Sequence, residues 1–294
     1  MLTSCLRRPS ASTAEEHRMS VTVSFKVASA QGEQNVTLSY TRQGSGEPLL
    51  LLHGIGHHRQ VWDPVIPALA AERDVIAVDL PGCGESPALP DGMAHDLPTM
   101  NTVLAALCEA LELERPHVAG NSLGGLLALD LARAQLVRSV TALSPAGFWN
   151  EVERRYAFTV LMTMRQIAQR MPLPVVERLA RPAIGRTLLT STIYARPGRR
   201  SPEAVVAETL ALARAQGFSE TLRSGRSVQF TDDIVGTPVT VAWGSRDRLL
   251  IPRQGVRAKS VIPRARLVRL PGCGHVPMND DPALVARVVL DGSR

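Results

Sequence analysis

Val118-Ala119-Gly120-Asn121-Ser122-Leu123-Gly124-Gly125 sets a serine between an apolar run and a stretch, Leu123 to Ala134, whose apolar residues recur at helical spacing. A serine so placed stands on a sharp strand-to-helix turn. Gly120 and Gly124 remove side chains that would clash there, and the helix start at Leu123 offers unpaired backbone N–H groups to an anion. A serine hydroxyl is a weak nucleophile, so this reading requires a histidine to take its proton and a carboxylate to orient that histidine. Both follow in chain order. Asp247, in Trp243-Gly244-Ser245-Arg246-Asp247, and His275, in Gly272-Cys273-Gly274-His275-Val276-Pro277, each come directly after an apolar run. Loops at strand C-termini are where open α/β sheets place their sites. Leu49-Leu50-Leu51-Leu52-His53-Gly54-Ile55-Gly56 supplies a further such loop, whose Ile55 N–H, with Gly54 as the alternative donor, would join that of Leu123 in an oxyanion hole. His53 reads as a brace of this loop and Asp79 as a turn cap. Asp130 and Glu151 stand as replacement carboxylates for Asp247.

Working outward, Val21 to Tyr40 alternates about Gly32 and predicts a β-hairpin. Leu49–Leu52, Val75–Val78, Val118–Ala119, Val140–Leu143 and Val239–Trp243 are short continuous apolar runs, the mark of strands covered on both faces. Helical stretches such as Thr102–Leu113 lie between them, so the expected fold is α/β with a parallel sheet. The alternation stops from residue 148 to residue 235. There, Pro172, Pro174, Pro182, Pro197 and Pro202 punctuate four or five expected short helices. A helix is expected again at Arg253–Val261, a strand at Leu267–Leu270 and a last helix at Pro282–Leu290. The expected organisation is a disordered tail over 1–19, with Met19 as an alternative start, a core over 20–147 and 236–294, and a helical cap over 148–235.

The chain has 294 residues, 45% apolar, with a net charge of +6. That composition excludes a disordered chain and a disulfide mini-protein. No apolar run approaches the ~18 residues of a membrane span. The first 19 residues lack the apolar centre of a secretory signal, so a cytoplasmic protein is expected. All basic residues but Lys26 and Lys259 are arginine, and the basic balance alone gives no reason to expect nucleic acid. Cys5, Cys83, Cys108 and Cys273 form no metal or redox pattern. His57 and His58 read as a surface loop and not as metal ligands, and His17, His95 and His117 as isolated surface or strand-edge residues. The segment from Trp149 to Val235 is rich in arginine, which reads as a solvated face, and in aromatic and methionine residues. Of these Trp149, Phe158 and Met162 are the candidates for substrate contact.

With these residues in hand, the chain resembles the α/β-hydrolase family from about Val21 to Leu290. The resemblance rests on His53-Gly54, Asp79-Leu80-Pro81-Gly82-Cys83-Gly84-Glu85-Ser86, Gly120-Asn121-Ser122-Leu123-Gly124-Gly125, Gly244-Ser245-Arg246-Asp247 and Gly274-His275. It implies an eight-stranded, mostly parallel sheet with a helical cap after the sixth strand. The site residues themselves, with Ser122, Asp247 and His275 as the triad, lead to the expectation of a serine hydrolase that cleaves an ester-like bond of a small or medium-sized, largely apolar substrate through an acyl-enzyme and needs no metal or organic cofactor. Serine at 122 disfavours the family's dehalogenases and epoxide hydrolases, which carry aspartate there. Asn121 resembles the family's carbon–carbon bond hydrolases, although the loop after His53 is less glycine-rich than theirs. That class is the main alternative, beside a cofactor-free haloperoxidase-like enzyme and a receptor without turnover.

Overall fold

The computed structural model describes residues 20–294. The expectations for the tail, with Cys5, His17 and Met19, lie outside the described residues. Eight strands form one sheet: β1 (Val21–Ser29), β2 (Gly32–Gly44), β3 (Pro48–Leu52), β4 (Asp74–Val78), β5 (His117–Asn121), β6 (Ser139–Leu143), β7 (Val239–Gly244) and β8 (Arg266–Leu270). Their order across the sheet is β1-β2-β4-β3-β5-β6-β7-β8. The β1–β2 hairpin turns where Ser29 faces Gly32, β2 runs antiparallel to β4, and all later pairs are parallel.

The unbroken apolar run Leu49–Leu52 has a simple cause. Successive side chains of a strand point to opposite faces. Leu50 and Leu52 therefore enter a core with Ile76, Val78, Leu104 and Leu127, whereas Leu49 and Leu51 enter a second core with Trp62, Leu69, Val75 and Val289. Helices α1 (Ile66–Ala70), α2 (Leu97–Ala110) and α3 (Leu123–Arg133) precede β6. Helix α2 starts five residues before the apolar periodicity, because Asp96 accepts the Thr99 N–H as its cap and Pro98 sits in the first turn.

Between β6 and β7 lie α4 (Glu151–Arg170), α5 (Leu173–Ala180), α6 (Ala183–Thr190), α7 (Pro202–Arg214) and α8 (Phe218–Ser224). The number agrees with expectation, but α4 is not short. A capping box of Asn150 and Glu153 opens it, and no proline interrupts its 20 residues before Pro172. Glu153 also binds Arg253, at 2.6 Å, and Arg257, which fastens the start of α4 to α9 (Arg253–Val261). The last helix, α10, is Pro282–Gly292.

His117 corrects an expectation: it is buried on central strand β5, where its Nδ1 lies 2.8 Å from Ser139 Oγ and its Nε2 3.2 Å from Glu47. Both faces of that strand are covered, so a polar side chain there must find partners inside. No helix among the described residues is long and apolar enough to cross a membrane.

The register aligns the ends of the parallel strands. Leu52 pairs with Gly120, Asn121 with Leu143, Leu143 with Ala242, and Gly244 with Leu270. The loops carrying Ile55, Ser122, Asp247 and His275 consequently emerge side by side.

Candidate active site

Ser122 occupies φ 57°, ψ −114°, a backbone region that side-chain-bearing residues rarely enter. The surroundings hold it there. Its N–H donates to the Leu143 carbonyl at 3.0 Å, and its own carbonyl accepts the N–H of Leu126 at 3.0 Å and of Ala146 at 3.1 Å. The turn is so tight that backbone touches backbone: a Cβ on Gly120 would lie 2.1 Å from the Gly124 carbonyl oxygen, and one on Gly124 2.2 Å from that of Leu52. Such an outlier, overdetermined by its neighbours, is a recurrent feature of reactive residues.

His275 Nδ1 lies 2.8 Å from Asp247 Oδ2, and both residues are buried. The other oxygen, Asp247 Oδ1, accepts the N–H groups of Leu249, at 2.9 Å, and Leu250, at 2.8 Å. The carboxylate is thereby fixed with one oxygen aimed at the imidazole. Asp130 and Glu151 are committed elsewhere, Asp130 to Asn101 and Arg133 and Glu151 to Arg155. Ser122 and His275 line the same cavity, without a direct hydrogen bond between them. Such bonds are often long before substrate binds and tighten in its complex.

Two residues that sequence reasoning left out of the site hold its loops together. Asn121 Nδ2 donates to the Leu143 carbonyl at 3.0 Å and to the His275 carbonyl at 2.9 Å, stapling the histidine loop to the serine turn. Asp280 accepts the N–H groups of Gly274, at 2.7 Å, Ala195, at 3.0 Å, and Arg196, at 2.7 Å, which ties the same loop to the stretch before α7. An asparagine beside the serine and an aspartate five residues past the histidine were visible, but their partners are backbone groups far along the chain.

The N–H groups of Ile55 and Leu123 donate to no acceptor among the described residues, as an oxyanion hole requires. His53 braces their loop. Its Nε2 accepts the Leu80 N–H at 2.9 Å, which puts the ring proton on Nδ1 and lets it donate to the Gly54 carbonyl at 2.7 Å. Burial pushes its pKa down from 6.5 to about 4. The folded-state value is therefore below the unfolded one, so the stability that the neutral ring contributes is complete above pH ~6.5 and is lost as pH falls toward 4. Lowering pH from 7 to 5 should cost the wild type roughly 2 kcal/mol more than a His53→Gln variant, read from urea midpoints. Equal losses in the two proteins would remove His53 as the acid-sensitive brace.

The shared cavity has a volume of about 60 Å³. Its walls are Ile55, Leu161, Met164, Ile193, Leu212, Leu249 and Val276, with His57, Asn121, Glu208 and the candidate pair Ser122 and His275 as its polar members. Trp149, Phe158 and Met162 are not among them. The indole of Trp149 donates to the Val228 carbonyl at 3.1 Å and meets Phe158 edge-on at 5.7 Å. Phe158 and Met162, one turn apart on α4, line a separate outer groove with Arg154, Arg155, Arg223 and Arg226. The cavity instead takes Leu161 and Met164, because residues three apart share a different stripe of the same helix. His57 is a second correction. It is no surface residue but lines the cavity, stacked at 5.3 Å on His58, which is buried as well and corrects the same expectation.

Asp79, by contrast, is a turn cap as its position suggested. It accepts the N–H of Arg59 at 2.6 Å and of Glu85 at 3.0 Å and pairs with the Arg59 guanidinium.

Residues 47–282 match the model of the alpha/beta hydrolase fold family, and the chain belongs to that family. It is 33% identical over 238 residues to the dihydrolipoyllysine-residue acetyltransferase component of an acetoin cleaving system from Pseudomonas putida. That alignment takes in 79% of this chain and 59% of the relative, so the chain spans about three fifths of the relative's length. Among solved structures it is similar to a thermophilic esterase from Thermogutta terrifontis, with a TM-score of 0.72 and 23% identity over 92% of this chain and 97% of the other. It is also similar to a meta-cleavage product hydrolase from Pseudomonas fluorescens IP01, with a TM-score of 0.68 and 20% identity over 92% and 96%. At such identities the structural likeness speaks for the fold, an eight-stranded mostly parallel sheet flanked by helices.

Proposed function

We propose that this protein is a serine hydrolase that cleaves an ester-like bond of a small, largely apolar substrate through an acyl-enzyme. The observation that carries this reading is the 2.8 Å contact of His275 Nδ1 with a doubly anchored Asp247, on a cavity that also presents Ser122. His275 takes the Ser122 proton as the hydroxyl attacks the carbonyl carbon, and Asp247 stabilises the imidazolium. The Ile55 and Leu123 N–H groups stabilise the oxyanion. His275 then returns the proton to the leaving alcohol, and water activated by the same ring releases the acid.

The helices between β6 and β7 act as a cap in this proposal, with Leu161, Met164 and Leu212 as the acyl wall. A cavity of ~150 Å³ holds benzene, so one of about 60 Å³ suits a short acyl group. A second cavity, of about 350 Å³, shares Met164, Ile193, Glu208 and Leu212 with the first, and a longer acyl chain has to part these residues to reach it.

Each added methylene is worth about 0.8 kcal/mol, near fourfold, so kcat/KM for p-nitrophenyl esters should climb over the first few carbons and then level. Carbon–carbon cleavage is the rival chemistry, but Asn121, the residue that suggested it, spends its amide on two backbone carbonyls. Turnover of a ring-cleavage diketone far above that of every ester would reverse the choice.

A further inference from the structure

Between Trp149 and Val235 the chain carries 13 arginines against 8 acidic residues, so the helices between β6 and β7 hold nearly all of its net charge of +6. Two grooves on either side of α4 concentrate what this surface offers. The first is lined by Arg154, Arg155, Phe158 and Met162 of α4 together with Arg223 and Arg226, and no acidic side chain lines it. Arg155 pairs with Glu151, whereas the guanidiniums of Arg154, Arg223 and Arg226 have no partner among the described residues.

The second groove lies between α4 and the end of α6 and is aliphatic. Ile167, Met171, Leu188 and Leu189 line it, and it shares Met164, Ile193 and Leu212 with the Ser122 cavity. The two grooves meet at Thr159 and Thr163, which line both. Large apolar side chains stand in solvent here: Ile167 is 52% exposed, Leu188 77%, and Ile184, one turn before Leu188 on α6, 72%. Val152 and Tyr156, also exposed, continue the ridge of Thr159, Thr163 and Ile167 along α4 at helical spacing.

Exposed apolar residues rimmed by charge mark a docking surface. Its charge decides the occupant. A two-fold contact with a second copy would bring the same patch together from both sides and set unpaired guanidiniums against guanidiniums. A lipid surface offers the complement of both grooves, with phosphates at the headgroup level and hydrocarbon directly beneath. We infer that this face docks on an anionic phospholipid bilayer, with Arg154, Arg155, Arg223 and Arg226 on the headgroup phosphates and Ile167, Ile184 and Leu188 in the outer hydrocarbon. On the hydrolase reading, an apolar ester dissolved in the bilayer then enters by the aliphatic groove, whose inner residues also line the Ser122 cavity.

The test is flotation of the protein with vesicles of phosphatidylcholine alone or with about 30% phosphatidylglycerol. Each arginine near an anionic surface is worth about fivefold in partitioning, so in about 0.1 M salt binding to the anionic vesicles should be stronger by about 100-fold. It should fall by about tenfold or more in ~0.5 M salt. Arg223→Gln with Arg226→Gln should weaken binding about 25-fold and leave hydrolysis of p-nitrophenyl acetate in vesicle-free buffer unchanged, since neither residue lines the Ser122 cavity. Arg154→Gln with Arg155→Gln, on the α4 wall of the groove, serves if the first variant does not fold. Ile184→Ser with Leu188→Ser should weaken binding by about tenfold or more and keep its salt dependence.

No preference for anionic vesicles, or a folded arginine variant that binds them like the wild type, overturns the inference. Binding to poly-L-glutamate with none to vesicles gives the face to an acidic protein, and a stable dimer that Ile184→Ser with Leu188→Ser dissolves gives it to a second copy; either result overturns it too. Docking is read without turnover, and the Ser122→Ala protein should bind the vesicles like the wild type, so failure of the hydrolase reading and failure of this one are seen separately.

Discussion

Replacement of Ser122 by alanine should lower kcat for the best ester by about 10⁵- to 10⁶-fold while leaving the fold intact. The magnitude follows from what is lost. Without the hydroxyl there is no acyl-enzyme, and His275 and the oxyanion donors retain only the modest acceleration of a positioned water. The fold should survive because the bonds that hold the turn are backbone bonds, from the Ser122 N–H to Leu143 and from Leu126 and Ala146 to the Ser122 carbonyl. Thermal melting should therefore shift by little. A fluorophosphonate should label Ser122 and, in the alanine variant, no serine at all. Activity within tenfold of wild type in a folded variant, or label on another serine, would remove Ser122 as the nucleophile.

The parts of the site that could be read from the sequence are those whose chemistry and local geometry coincide. The serine turn announces itself because Gly120 and Gly124 are demanded by contacts between neighbouring backbones, and their partners lie within the same short motif or at the end of one adjacent strand. Asp247 and His275 are legible because each directly follows a buried strand, and the parallel register brings such ends together. The sheet was legible for a related reason: Leu49 to Leu52 is apolar without interruption only because two cores claim alternate residues.

What the sequence hid is decided by packing between distant segments. Phe158 and Met162 share a stripe of α4 that faces an arginine-lined groove, and Leu161 and Met164 share the stripe that faces Ser122. Composition weights both stripes alike, and the choice depends on how α4 is fastened by Glu153 to Arg253 and Arg257, about a hundred residues away. His57 looked like loop surface because the helix that covers it, α7, is supplied by the insertion, through Glu208. His117 looked peripheral because its burial comes from strands on either side and from Glu47 and Ser139.

Asp247→Asn should cost on the order of 10⁴ in kcat, and the structure gives the reason in terms of one proton. Oδ1 of the aspartate is held by the N–H groups of Leu249 and Leu250, both of which need an acceptor. An asparagine at this position will keep its carbonyl oxygen on those two donors, since turning it over would set its NH₂ group against them. The amide nitrogen then faces His275 Nδ1 and donates to it. A neutral imidazole that accepts at Nδ1 carries its proton on Nε2, the atom required to take the proton from Ser122. The variant would therefore fold with the site intact and hold the base in the wrong tautomer, and the cation formed during attack would also lack its counter-charge. Because both effects act on the proton transfer, the loss should fall on kcat with little change in KM for a short ester. The backbone anchors give the control: Asp130→Asn and Glu151→Gln, which alter carboxylates engaged with Asn101, Arg133 and Arg155, should stay within a few fold of wild type. A loss below tenfold in Asp247→Asn, together with a large loss in either control, would move the orienting role away from Asp247.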